Sequence, residues 1–170
     1  MKNKFKLRQL MIKDANLMLE WMHDDDVIKD LKNNFKEKTI EDCICFIKKS
    51  VNDKKNCNLA IVDDTDTYLG TVSIKNINNT DKSGEFAITI RKVAMGTGCS
   101  TYAIHEIIKY GFNILGLRKI YWYVSKNNLR AIKFYDKNKY SRINYNQLAE
   151  QISGIENLNN EEYIYYLVKK

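Results

Sequence analysis

Between residues 85 and 138 the spacing of apolar residues changes from that of a strand to that of a helix, and it does so twice. Residues 85–90 alternate in polarity, residues 100–115 carry apolar side chains at helical spacing, and residues 120–124 alternate again before a second, shorter helix. This order predicts a βαβ crossover within a largely buried central sheet. The chain is therefore predicted to have an α/β fold.

Four other segments have the alternation or the residue types of strands: 5–10, 59–62, 68–74 and 163–168. The second and third of them flank an acidic stretch that favours a hairpin turn. A first helix is predicted after Asp14, which can cap it, and another after Thr39, where Asp42 completes a capping box. The charged run 23–26 is expected to loosen the end of the first helix, and residues 146–152 are compatible with a helical turn.

The length and composition are those of one globular domain. With 170 residues, 44% of them apolar and 29% charged, the chain can bury a core without cross-links, and a single domain over residues 1–170 is predicted. The apolar runs fall far below the roughly 20 residues needed to cross a bilayer, so no membrane segment is predicted. Residues 1–6 are charged and no apolar stretch follows, so we expect no signal peptide and a cytoplasmic location.

Positive charge is concentrated in one stretch. The formal net charge is +7, and residues 118–140 hold seven Lys and Arg residues against Asp136 alone. A solvated basic face and nucleic-acid binding are two interpretations, but a patch this local favours a phosphorylated cofactor, and no nucleic-acid partner is predicted. The four cysteines lack Cys-x-x-Cys spacing and there are only two histidines, so no metal site is predicted.

A glycine-containing loop, Ala94-Met95-Gly96-Thr97-Gly98, lies between a predicted strand and a predicted helix. Glycines allow a diphosphate to approach backbone N–H groups at the positive end of a helix dipole. The loop is not a Walker motif, because no Gly-Lys-Ser follows it, and it lacks the third glycine of a Rossmann motif. Taken alone, it is explained equally well as a tight turn between a strand and a helix.

The residues downstream of the loop favour the cofactor-binding interpretation. Residues 124–135 read Val-Ser-Lys-Asn-Asn-Leu-Arg-Ala-Ile-Lys-Phe-Tyr, and together with the loop they resemble the GNAT superfamily of acetyltransferases. In particular the chain resembles the branch that includes the ribosomal-protein N-terminal, spermidine and nucleotide-sugar acetyltransferases. Residues 7–21 and 112–117 also follow the family pattern, and the resemblance covers about residues 5–140.

The resemblance implies a fold and a co-substrate. The implied fold is a mixed α/β (α+β) domain with a mostly antiparallel sheet of six or seven strands, helices on both faces, and a split between strands four and five. The implied co-substrate is acetyl-CoA, with pantetheine between residues 86–90 and 120–124 and its diphosphate on the backbone of residues 94–100. The implied cofactor contacts are Ile88, Ile90, Met95, Gly96, Thr97, Gly98, Cys99, Ser100, Asn128 and Tyr135.

Two residues are predicted to be catalytic. Tyr135 falls on the family's tyrosine, whose hydroxyl can protonate the departing thiolate, and the alternative is a core tyrosine on an amphipathic helix. Glu85 starts the strand beside the expected thioester and points away from the apolar residues of that strand, so it is the candidate general base. The alternatives are that Glu85 positions the ammonium group of the acceptor or is a solvated strand end.

Other reactive side chains are given lesser roles. His105 is predicted to be a structural histidine near the apolar face of the long helix. Cys99 is not expected to be a nucleophile, because no histidine is near it in sequence and the family transfers acetyl without a covalent intermediate. His23 and the acidic run 24–26 lie where relatives bind acceptors, and they are either a surface helix terminus or a segment that attracts a cationic amine.

The residues just before the glycines depart from the family pattern. Val93 stands where the family usually has Arg or Gln, and Ala94 stands where it often has Gly. The missing positive charge is expected to come from Arg91, from Lys92 or from the basic stretch 126–137.

The predicted activity is N-acetylation of a primary amine by direct transfer through a ternary complex. An amino-sugar nucleotide or a similar small metabolite is the first candidate acceptor, a protein N-terminus is the second, and a polyamine is the third. A catalytically silent acyl-CoA-binding domain is the alternative from another class. A homodimer is compatible with these predictions.

Overall fold

The computed structural model describes residues 4–31, 33–155 and 162–170, and these contain one seven-stranded sheet. Its strands are β1 (Phe5–Gln9), β2 (Cys57–Asp63), β3 (Tyr68–Asn78), β4 (Ser83–Ile90), β5 (Lys119–Ser125), β6 (Arg142–Ile143) and β7 (Tyr163–Lys169). Across the sheet they are ordered β1-β2-β3-β4-β5-β7-β6. Only β4 and β5 are parallel neighbours within the described residues, which confirms the mostly antiparallel sheet and its crossover.

Helices cover both faces of the sheet, as predicted. They are α1 (Ala15–Met22), α2 (Asp25–Ile28), α3 (Ile40–Ser50), α4 (Cys99–Asn113), α5 (Leu129–Lys137) and α6 (Tyr145–Ala149). α4 and α5 pack on the face that carries Trp122. α1, α2 and α3 pack on the opposite face over Ala60 and Val62, and α6 packs on that same face over Tyr121.

A glycine sets how closely α4 approaches the sheet. A Cβ on Gly111 would lie 2.6 Å from Cδ1 of Ile74 and 2.7 Å from Cδ1 of Ile120. Because a close-packed interior has no room for such a contact, a larger residue would push α4 away from β3 and β5. The close approach holds α4 across the place where β4 and β5 meet.

The predicted split lies between β4 and β5. Their parallel ladder pairs only Ser83–Glu85 with residues 119–121, whereas β4 continues along β3 to Ile90 and β5 pairs with β7 over its whole length. Residues 86–90 and 122–125 therefore face each other without a ladder between them. This arrangement leaves strand edges with unused hydrogen-bonding capacity on both sides of one opening.

The local predictions near the first helices held in part. The capping box between Thr39 and Asp42 is present at the start of α3. Asp14 stands at the N-cap of α1, but its buried carboxylate accepts hydrogen bonds from Arg8 at 2.7 and 2.8 Å and from the amide of Met11 at 2.9 Å. A buried charge is costly when unpaired, and the Arg8 guanidinium supplies the pairing. The Asp14 carboxylate therefore bonds Arg8 instead of the first amides of α1.

Two other segments differ from the predictions. The run 23–26 does more than loosen α1, because Asp24 accepts a hydrogen bond from the amide of Asp26 and thereby begins α2. α4 ends two residues before the predicted position, and Gly116 follows with a φ of +68°. No helix in the described ranges combines the length and the apolar character needed to cross a membrane.

Candidate active site

The loop between β4 and α4 is held open by its glycines. After a turn of 3-10 helix over Lys92–Ala94, Gly96 and Gly98 have φ values of +76° and +89°. Gly98 is the N-cap of α4, in a left-handed conformation that residues with a Cβ disfavour. A Cβ on either glycine would meet no protein atom within 4 Å, so the backbone here is accessible.

This backbone carries unpaired N–H groups. Among the described residues, nothing accepts a hydrogen bond from the amides of Gly96, Gly98, Cys99, Ser100 or Thr101. The last three belong to the first turn of the 15-residue α4, whose dipole adds positive potential at this end. The residues present therefore fit the diphosphate of acetyl-CoA.

The two departures from the family pattern lie in the turn before the glycines. Ala94 does not have a positive φ and is 2% exposed, so its backbone needs no glycine. Val93 is 65% exposed, which leaves an apolar side chain at the rim of the loop.

Arg91 and Lys92, which were expected to supply charge here, are engaged within the protein instead. Arg91 donates to both carboxylate oxygens of Glu20, at 3.0 and 2.9 Å, and to the carbonyl of Tyr68 at 3.0 Å. Lys92 donates to the carboxylate of Asp26 at 2.5 Å. For these two residues the expectation was wrong, because their partners come from distant parts of the chain.

The basic stretch on α5 does reach the loop. The guanidinium of Arg130 lies 3.2 Å from Sδ of Met95 and 3.5 Å from the carbonyl oxygen of Asp26. Lys133 and Lys137 on the same helix are exposed. Arg130 therefore brings positive charge to the loop with the open amides, which favours a phosphorylated ligand.

Tyr135 of α5 lies in an aromatic cluster on the α4 face of the opening. Its ring centroid is 5.3 Å from that of Trp122, 5.1 Å from that of Tyr166 and 6.4 Å from that of Phe86. Burial raises the pKa of Tyr135 above the ordinary value of 10, so its phenol keeps its proton at neutral pH. Within the described residues the hydroxyl makes no hydrogen bond, which leaves it free to serve a ligand.

Asn128 is occupied in part by the protein itself. Its Oδ1 accepts a hydrogen bond from the amide of Ala131 at 3.0 Å and so caps α5. Its Nδ2 has no acceptor among the described residues and remains a donor. Ile88 and Ile90 lie along the part of β4 that pairs with β3 but not with β5, and they are half-buried.

The remaining predicted contacts differ in accessibility. Thr97 turns inward, donating from its hydroxyl to the carbonyl of Ala94 at 2.7 Å. Cys99 is fully buried, and burial raises the pKa of its thiol to about 11, so a thiolate nucleophile is disfavoured at neutral pH. Ser100 is half-buried. The side chain of Cys99 is therefore closed to a ligand, whereas Ser100 remains partly exposed.

A cavity of about 260 Å³, here called the Glu85 cavity, lies on the opposite face of the same opening. Among the described residues that line this cavity, Glu85 is the one with an acidic side chain. Its carboxylate accepts a hydrogen bond from Nδ2 of Asn76 at 2.9 Å. The lining also includes Ser83, Tyr121 and Tyr123. Strand alternation explains this position, because Phe86 points to the other face and into the core.

One wall of the Glu85 cavity was not foreseen from the sequence. Residues 152–155, which follow α6, form it. Asp81 holds this wall by accepting hydrogen bonds from the amide of Ser153 at 2.7 Å and from the hydroxyl of Ser83 at 2.6 Å. Burial opposes ionisation of Asp81, but these bonds keep its pKa below the ordinary value. The sequence indicated only a helical turn in this region, because the hydrogen bond between Asp81 and Ser153 joins residues 72 positions apart.

The acidic run and the two histidines lie outside the Glu85 cavity lining. Asp25 pairs with Lys36 at 2.6 Å, and Asp26 is bound to Lys92, so a surface helix terminus describes the run better than an open site for cations. The ring of His23 contacts the carbonyl of Lys38 at 2.9 Å. His105 is exposed beside Glu106 rather than near the apolar face, which corrects its predicted position. No metal-holding group of three or more His, Cys, Asp or Glu side chains occurs in the described ranges.

Parallel strands that part beside a glycine loop at a helix N-terminus are the arrangement expected of a GNAT N-acetyltransferase. The family model described as Acetyltransferase (GNAT) domain matches residues 4–141, and the chain belongs to this family. It is accordingly an N-acetyltransferase that uses acetyl-CoA as the acetyl donor.

Individual relatives agree with the family assignment. The chain is 27% identical over 133 residues to acetyltransferase PseH of Campylobacter jejuni, covering 78% of this chain and 80% of that protein. It is 38% identical over 68 residues to spermidine N(1)-acetyltransferase of Escherichia coli, covering 40% and 37%. The crystal structure of spermidine N-acetyltransferase from Vibrio cholerae with CoA and spermine shares the fold, with a TM-score of 0.79, 18% identity and coverage of 99% and 96%.

Proposed function

We propose that residues 1–170 form one catalytic domain that acetylates the primary amine of a small polar metabolite, with an amino-sugar nucleotide as the first candidate. The observation that carries this proposal is a single opening in the sheet. On one side it adjoins a loop of unpaired amides, and on the other it reaches a cavity containing a carboxylate. A donor and an acceptor amine can therefore approach the same point from two directions.

Cofactor binding in this proposal uses the backbone. The amides of Gly96, Gly98 and the first turn of α4 hold the diphosphate, and the edge of β4 at Ile88 and Ile90 bonds the pantetheine arm. Met95, Thr97, Cys99 and Ser100 contribute their main chain to the same cradle, and Nδ2 of Asn128 donates a further hydrogen bond. The exposed cations of α5 add electrostatic attraction.

Acetyl-CoA supplies an activated acetyl group, and two side chains move the protons. Glu85 takes a proton from the ammonium group of the acceptor, directly or through a water. The free amine then forms a C–N bond with the acetyl carbonyl carbon, a backbone N–H near Ile88 stabilises the negative oxygen, and the C–S bond breaks. Tyr135 donates its phenolic proton to the departing thiolate, and the attacking nitrogen releases its second proton to solvent to give the neutral amide. Exchange with solvent then deprotonates Glu85 and reprotonates Tyr135.

The lining of the Glu85 cavity supports an acceptor with one positive charge. Glu85 is accompanied by the amides of Asn76 and Asn78, by hydroxyl groups and by two tyrosine rings. These groups can bond the hydroxyls of a sugar and pack against its ring. A cavity of about 260 Å³ admits a small moiety rather than a long chain.

A polyamine is the second candidate, favoured by the similarity to spermidine acetyltransferases. Polyamines carry several separated charges, and recognising them calls for several free carboxylates. Glu85 is the acidic residue among those lining the cavity, and Asp25 and Asp26 are already paired with lysines. This charge distribution ranks the polyamine below a singly charged amine.

The proposal is tested by binding and turnover. Isothermal titration with acetyl-CoA is followed by a thiol-release assay with an amino-sugar nucleotide, spermidine and a peptide with a free N-terminus. We expect turnover of the amino-sugar nucleotide, with a loss of about 10²–10⁴-fold in Glu85→Gln. Glu41→Gln, an exposed change on α3, is the control. Acetyl-CoA binding without turnover of any amine, or a fully active Glu85→Gln, would overturn the proposal.

A further inference from the structure

Asn76 lies at an irregularity of β3, close to Glu85. The register between β3 and β4 shifts between Lys75 and Asn78, and Asn76 at this point has a φ of +51°. Few residue types other than glycine adopt this left-handed conformation, and Asn is among those that tolerate it best. The backbone conformation turns Asn76 out of the regular ladder, and its side chain reaches the neighbouring strand.

The backbone of this bend is fixed from outside the strand. The amide of Asn76 donates to Oδ1 of Asn56 at 3.1 Å, and the amide of Ile77 donates to the carbonyl of Lys55 at 2.9 Å. Asn56 is itself held by Asp53, which accepts from its Nδ2 at 2.8 Å and from its amide at 3.1 Å. The backbone at Asn76 is therefore held by the protein itself, without a ligand.

The side chain of Asn76 ends on the Glu85 carboxylate. Nδ2 donates to Oε2 of Glu85 at 2.9 Å, and both residues line the Glu85 cavity. Within the described residues, no other side-chain hydrogen bond to the Glu85 carboxylate is found. Lys75 lies opposite Glu85 in the β3–β4 ladder, but the two side chains form no ion pair in that part of the structure. One carboxylate oxygen is thus fixed, and the other remains free to receive a proton.

We infer that Asn76 is a positioning residue that holds the Glu85 carboxylate in the orientation needed to deprotonate the acceptor. This inference rests on the proposed role of Glu85 as the general base. A carboxylate on a strand has rotatable side-chain bonds, and general-base catalysis requires its oxygen within hydrogen-bond reach of the proton it removes. Fixing one oxygen lowers the number of unproductive orientations without adding a contact to the substrate.

The test uses variants that keep the backbone conformation. Asn76→Gly accepts a positive φ and deletes the side chain, and Asn76→Asp keeps the shape but replaces the donor with a second negative charge. With the panel amine that gives the fastest thiol release, we expect kcat to fall about ten- to hundredfold in both variants, while KM for acetyl-CoA stays the same. Asn79→Gly, an exposed change in the next turn, is the matched control and keeps wild-type kcat.

A double-mutant cycle separates positioning from general structural damage. In the Glu85→Gln background, Asn76→Gly should cause no further loss, because Asn76 acts through Glu85. An equal loss in both backgrounds, or wild-type kcat for Asn76→Gly beside an impaired Glu85→Gln, would overturn the inference and leave the proposed function intact. A fully active Glu85→Gln variant would instead exclude Glu85 as the general base and contradict the proposed function.

A crystal structure of Asn76→Gly tests the same point without turnover. We expect the Glu85 carboxylate to leave its wild-type position or to occupy several orientations. A single, unchanged orientation of Glu85 in this variant would contradict the positioning role.

Discussion

Glu85 and Tyr121 form the last residue pair of the parallel β4–β5 ladder, and both side chains line the Glu85 cavity. Beyond this pair the strands part. Phe86, the next residue along β4, points to the opposite face, where its ring lies 6.4 Å from that of Tyr135. The proposed base and the proposed acid therefore approach one opening from opposite faces of the sheet.

Tyr135→Phe is expected to lower kcat for thiol release by about 10²–10⁴-fold, the range for a positioned general acid, with little change in acetyl-CoA affinity. The phenyl ring keeps the contacts with Trp122 and Tyr166, so the fold should be retained. Steady-state kinetics and isothermal titration measure the two effects. Tyr140→Phe, the same change in a ring 6.4 Å away, is the control, and an unchanged kcat in Tyr135→Phe would exclude the acid role.

The alkaline stability of the protein should depend on Tyr135. Its raised pKa means that the folded state holds this proton more tightly than the unfolded chain does, so stability is lost as pH rises above 10. For this group the unfolding free energy falls by up to about 1.4 kcal/mol per pH unit. Urea unfolding at increasing pH should give a shallower decline for Tyr135→Phe. Parallel curves for the two proteins would contradict the burial of this phenol.

Gly98→Ala should weaken acetyl-CoA binding beyond its cost to folding. A Cβ at a φ of +89° costs about 1–2 kcal/mol and projects into the open backbone where the diphosphate is proposed to lie. Gly116→Ala is the matched control, because Gly116 has a φ of +68°, equally open surroundings and a position at the far end of α4. Both variants should lose thermal stability, but only Gly98→Ala should raise the Kd for acetyl-CoA. Equal Kd values would place the diphosphate elsewhere.

Val93→Arg is expected to strengthen acetyl-CoA binding. Val93 is 65% exposed at the rim of the amide loop, and a guanidinium there would gain about 0.5–1 kcal/mol from the phosphates, or roughly two- to fivefold in Kd. Titrations at low and high salt measure the gain, which should shrink as salt screens the charges. Val51→Arg, at another exposed valine, controls for net charge. The same gain in both variants would indicate a general charge effect.

The elements of the fold were accessible from the sequence because their signals are local. The alternation in β5, the apolar spacing of α4 and the Thr39–Asp42 capping box depend on residues within a few positions of one another. The short elements α2 and β6 were not predicted. Four- and two-residue elements carry too few side chains for a period to appear.

Only those parts of the candidate site that are marked by local sequence patterns could be predicted. The glycine loop, Tyr135 and Glu85 were predicted as candidates because motif and strand alternation mark them. Asn76 was not, since its proposed role depends on a bend in β3 and on a hydrogen bond to a residue nine positions away. The expectation that Arg91 supplies positive charge to the loop was also wrong, because Arg91 pairs with Glu20, a residue 71 positions away in the sequence.

The sequence by itself determined which segments become strands and helices, where the backbone turns left-handed at the glycines, and which family pattern the chain follows. Only the tertiary structure decided which charges remain free, which residues close the Glu85 cavity, and which donor holds the Glu85 carboxylate. The physical reason is range: periodicity and capping act between neighbours in the chain, whereas ion pairs and cavity walls join residues that become neighbours only when the sheet has formed.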